Sequence, residues 1–81
     1  MTGGRAANVA EEIAALDVEL AELAEKKAIV EKRVRELMAA EDLRAGVFHA
    51  QEIFAAKQEK LTLVTQLEIV RRRRERLLAG Q

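Results

Sequence analysis

VAEEIAALDVELAELAEKKAIVEKRVREL, residues 9–37, is the stretch on which the fold turns. Within it Val9, Ile13, Leu16, Leu20, Leu23, Lys27, Val30, Val34 and Leu37 recur in steps that alternate four and three without a slip. Such spacing is a heptad seam, with Ile13, Leu20, Lys27 and Val34 at a and Val9, Leu16, Leu23, Val30 and Leu37 at d. Ala7, Ala14, Ala21 and Ala28 occupy b, and Ala10 and Ala24 occupy e. The apolar strip is therefore wider than a two-stranded seam and is made of small residues on its second side. A helix of this kind suits two neighbours, because alanine lets backbones approach closely. Lys27 is the one charge on the seam; its stem is expected to lie along the strip with the ammonium in water, fixing register or partner number.

The phase is lost across EDLRAGVFHAQEIF, residues 41–54, where Gly46 stands as expected of a left-handed glycine after a helix end. A second apolar pattern follows, built on Ala50, Ile53, Phe54, Leu61, Val64, Leu67, Val70, Leu77 and Leu78, with Leu63 on its flank. The expected layout is a flexible stretch over 1–5, a first helix over 6–45, a turn over 46–49 and a second helix over 50–79. Phe54, Leu61, Val64, Leu67, Val70 and Leu77 are its positions on the packing and oligomer seam. The rival is one continuous helix of roughly 70 residues, about 105 Å long at 1.5 Å per residue.

Composition supports an all-α reading. Proline, serine, tryptophan, tyrosine and cysteine are absent, and alanine, glutamate, leucine, lysine and arginine dominate; these residues lose little rotamer freedom in a helix. An 81-residue chain buries little apolar surface on its own, and without cysteine it has no disulfide to compensate. Association with itself or with a larger assembly is the remaining source of stability, and an oligomeric helical bundle is the expected outcome. No apolar run reaches the roughly 18 residues of a membrane span and no secretory signal opens the chain, so an intracellular, cytoplasmic setting without membrane contact is expected.

Charge is segregated along a chain whose formal net charge is zero. Residues 1–25 carry Glu11, Glu12, Asp17, Glu19, Glu22 and Glu25 against Arg5, while residues 71–76 hold Arg71, Arg72, Arg73, Arg74 and Arg76. If the chain folds back at Gly46, the arginines come to lie beside Asp17, Glu19 and Glu22, and this orients the helices more than it stabilises them. Successive helical residues advance by about 100° each, so the arginines cannot all face one acidic surface. Those left over offer a phosphate-binding alternative, and a nucleic-acid-associated protein is the second reading. Neutral overall charge, the interspersed Glu68 and Glu75, and the lack of tyrosine and tryptophan for base stacking place it behind the first.

Catalysis finds little support. There is no serine or cysteine nucleophile and no glycine-rich phosphate loop. His49 and Glu52 have the His-x-x-Glu order, the reverse of the Glu-x-x-His motif of di-iron bundles, so neither a metal nor a cofactor is expected. In overall habit, an alanine-rich helical hairpin with an acidic start and a basic end, the chain is similar to small bacterial coiled-coil adaptors, export chaperones and phage scaffolding or virion accessory proteins. That likeness is one of composition, without a diagnostic motif. It implies a non-enzymatic interaction protein whose partners are further copies of itself and a larger protein assembly.

Overall fold

A computed structural model describes residues 3–80, with the side chains of the first helix from Asn8 onward. Two helices, α1 (Gly3–Ala40) and α2 (Ala50–Ala79), pack against each other as an antiparallel hairpin. The chain is thus a folded-back pair and not a single long helix. Its Cα atoms span 71 × 14 × 13 Å, a rod two helices wide.

The core lies along the heptad seam. Leu16, Leu23 and Val30, all at d, are buried, and Val9, Ile13, Leu20, Lys27, Val34 and Leu37 flank them half-buried. On α2 the buried residues are Ala56, Leu63 and Val70, with Ile53, Lys60, Leu67, Arg74 and Leu77 half-buried. These positions also alternate four and three, so α2 carries its own unbroken repeat: Ala56, Leu63, Val70 and Leu77 at d, and Ile53, Lys60, Leu67 and Arg74 at a.

That phase differs from the one expected. Phe54, Leu61 and Val64 are exposed, while Leu63, placed on the flank, is in the core beside the small Ala56. The reason is steric and electrostatic together. Ala56 at the interface lets the helices approach, and Lys60 and Arg74 lay their aliphatic stems along the seam while their charged ends reach acids at its edge.

The turn also differs. α1 ends at Ala40, five residues before the expected limit, because Asp42 competes with the helix for backbone donors. Its Oδ1 accepts hydrogen bonds from the amides of Arg44 at 3.0 Å and Ala45 at 3.3 Å. Asp42 and Val47 then exchange two backbone bonds, of 2.9 and 2.8 Å. Gly46 closes this six-residue loop at φ +71°, the left-handed conformation anticipated for it. At the other end α1 begins at Gly3, inside the stretch expected to lack structure; Arg5, Ala6 and Ala7 favour helix and carry it back beyond the seam. Residues 1 and 2 of that stretch lie outside the described residues.

Candidate interaction surface

Two cross-helix ion pairs define the register. Arg74 Nε donates to Asp17 Oδ1 at 2.5 Å, and Lys60 Nζ lies 3.4 Å from Glu31 Oε2. The paired numbers total 91 in both cases, one short of the value expected from a fold-back at Gly46. Both acids are at e and both bases at a, and the two pairs stand two heptads apart. Glu31 also approaches Lys27, whose Nζ is 3.9 Å from Oε1. A lysine from each helix therefore shares one carboxylate at the edge of the seam.

The spacing of these pairs matters more than their individual strength. Along the e row of α1 the residues run Ala10, Asp17, Ala24, Glu31, Met38, and along the a row of α2 they run Ile53, Lys60, Leu67, Arg74. Sliding α2 by one heptad would set both bases against Ala or Met and set Leu67 against an acid. A slip of one heptad keeps every apolar contact type but loses both pairs, so the alternation selects one register.

In an antiparallel pair, e positions of both helices flank one side of the seam and g positions the other. The grooves of the rod follow this rule. Glu31, Arg35 and Lys57 line one, at e and b, while Glu19, Glu22, Lys26, Gln66 and Ile69 line the opposite one, at g and c. The two faces differ in chemistry. On the g and c side Ile29 and Ile69 stand among charged and polar residues. The e and b side carries Ala10, Ala14, Ala21, Ala24 and Ala28 from α1. From α2 it carries Phe54, 65% exposed, Leu61, 59%, and Val64, 40%. The residues read as packing positions on α2 but absent from the hairpin core thus gather on one outer face.

Of the arginines at 71–76, Arg74 alone forms an ion pair with the first helix among the described residues. Arg71 and Arg72 both meet Glu68 on their own helix, at 3.5 and 3.0 Å. Among the described residues Arg73 and Arg76 form no ion pair. Glu19 and Glu22, expected beside the arginines, instead line the g and c groove with Lys26, because a helix turns them to the side away from Asp17. His49 precedes α2 half-buried, with Nδ1 3.9 Å from Glu52 Oε2 and its amide donating to Glu41 Oε1 at 3.3 Å. No third ligand joins that pair; among the described residues no group of three or more potential metal-binding side chains converges. Nor is any described helix long and apolar enough to cross a membrane.

Ala56, Lys60, Leu63 and Arg74 are the α2 seam residues that the apolar pattern alone did not place there. Counting on from His49 in alternating steps of four and three reaches Ile53, Ala56, Lys60, Leu63, Leu67, Val70, Arg74 and Leu77 in turn. That count, blind to polarity, is the signal that identifies them. Compared with known protein families, with characterised proteins and with solved structures, the chain matches none.

Proposed function

We propose that this chain is a non-enzymatic interaction module, a rigid helical hairpin that acts by presenting its e and b face to another protein surface within a larger assembly. The observation that supports this reading is the exposure of Phe54, Leu61 and Val64 together on one face, next to an alanine strip that offers little bulk of its own. Large exposed apolar side chains gathered on one face, here with Asp17, Glu31, Arg35, Lys57 and Arg71 among them, mark sites of association. The long, thin form suits a spacer or clamp more than a pocket, since two helices enclose no deep cavity.

The second reading, nucleic-acid association, draws on Arg73 and Arg76, which no described acid neutralises. It is disfavoured by the engagement of Arg71, Arg72 and Arg74 with Glu68 and Asp17.

The test is to compare what co-purifies from source cells with the native chain and with a Phe54→Gln, Leu61→Gln, Val64→Gln variant. Proteins, or further copies of the chain, that are lost with the variant support the interaction module. Nucleic acid that persists with this variant but is lost with Arg73→Gln, Arg76→Gln would replace it with the second reading.

A further inference from the structure

Resting on that reading, we infer that the e and b face is covered by a second copy of the same face, in a four-helix dimer whose two turns lie at the same end. The surface available is sufficient. A compact monomer of 9.0 kDa exposes about 4,900 Å² by the usual scaling of area with mass. This chain exposes 6435 Å². The excess, about 1,500 Å², is nearly twice what each partner contributes to an interface of standard size. The hairpin core is correspondingly thin: six residues are buried, and none of the described side chains is completely removed from solvent.

Face-to-face packing of two identical hairpins about a two-fold axis has two forms. If the axis runs along the rod, turns coincide and α1 of one copy lies on α2 of the other at the same level. If the axis runs across it, turns are at opposite ends and each helix lies on its own counterpart.

The first form matches large residues to small ones. Using the register of the two ion pairs, Leu61 comes opposite Ala28, Val64 opposite Ala24 and Leu78 opposite Ala10, each within one helical turn of level, about 5 Å. It also matches charge, with Arg71 opposite Asp17 and Lys57 opposite Glu31. Phe54 meets Arg35, a guanidinium for its ring face. Glu68 and Glu75 fall opposite Ala21 and Ala14, where small side chains leave their carboxylates open to water and to Arg71 and Arg72.

The second form fails on both counts. With the axis level with Ala24 on α1 and hence with Leu67 on α2, Ala21 would meet Ala28 and leave that side loosely filled, while Leu61 and Val64 would fall among Glu68, Arg71 and Glu75 and lose their small apolar partners. With the axis at the midpoint of the α1 strip, near Ala24, Asp17 would also face Glu31, acid against acid.

A single experiment tests both the dimer and its orientation. The chain has no cysteine, so Ala45→Cys in the exposed turn gives one labelling site. A spin label there should report an inter-chain distance under about 30 Å, the width of a four-helix bundle with labels attached. Opposed turns would separate the labels by most of the 71 Å rod and overturn the orientation. The Leu61→Gln, Val64→Gln variant should keep its helical content and weaken the dimer at least tenfold by sedimentation equilibrium. A native chain monomeric at 100 micromolar, or a variant that dimerises unchanged, would overturn the proposal. The co-purification comparison is independent of this result, because a monomer that loses a different protein partner with the face variant sinks the dimer and leaves the interaction module standing.

Discussion

Asp17 and Arg74 are 57 positions apart in the chain and joined by a single hydrogen-bonded ion pair across the seam. Both side chains remain partly in water, so the pair contributes only on the order of 0.5–1 kcal/mol, as exposed pairs do. A double-mutant cycle of Asp17→Asn and Arg74→Gln should show a coupling of that size. The same cycle with Arg73→Gln in place of Arg74→Gln should show none. Equal coupling for both arginines in denaturant unfolding would mean that diffuse charge, and not this contact, orients the helices.

Gly46 and Gly80 should respond oppositely to alanine. At Gly46 the space is open but φ is +71°, so Gly46→Ala is strained by its backbone and should cost about 1–2 kcal/mol. Gly80 is right-handed, at φ −75°, and Gly80→Ala should be neutral or stabilise by up to about 1 kcal/mol through the unfolded state. Thermal melts of the two variants, falling in the first and level or rising in the second, check this.

Adjacent alanines offer a test of seam phase on α2. Ala56 is the most buried residue at 4% exposure, and Ala55 is exposed. Ala56→Leu should force the helices apart at a cost of about 1–3 kcal/mol, whereas Ala55→Leu should change stability by less than about 0.5 kcal/mol. Equal effects in urea unfolding would contradict the phase described.

Lys27 and Lys60 divide one carboxylate between them. Lys27→Leu should raise the melting temperature by roughly 4–8 °C, as a gain of about 1 kcal/mol does in a domain of this size, because Lys60 still satisfies Glu31. Adding Lys60→Leu leaves Glu31 without either base. The double variant should then populate more than one register or oligomer size, visible as heterogeneous mass in native mass spectrometry. A double variant of single, unchanged mass would show that the lysines do not specify pairing.

How much of this could be read from residue types alone differs between the two helices for a physical reason. On α1 the seam is leucine, valine and isoleucine with small neighbours, so side-chain size and burial coincide and Val9 through Leu37 stand out. On α2 two strips of equal period run one position apart. The outer one holds the bulkier Phe54 and Leu61, while the inner one holds Ala56, Lys60 and Arg74, which bury by being small or by extending a stem. Hydrophobicity therefore pointed to the outer strip at Phe54, Leu61 and Val64 and to the hairpin core at Leu67, Val70 and Leu77. Gly46 was legible as a left-handed position, but the early end of α1 was not, since it depends on Asp42 capturing two amides within the loop. The pairing of Asp17 with an arginine followed from charge segregation. Which arginine it would be depended on the phase of α2.

The paired amides of Asp42 and Val47 have a kinetic meaning as well. Joining residues five positions apart sacrifices little chain entropy, and loops of about ten residues close in 10–100 ns. Once they are joined, each further rung toward the termini is brought together by the one before it, so the hairpin is built to zip from the turn outward. Substitutions at Gly46 should therefore slow refolding, while those at Asp17 and Arg74, near the last rungs to form, should chiefly speed unfolding.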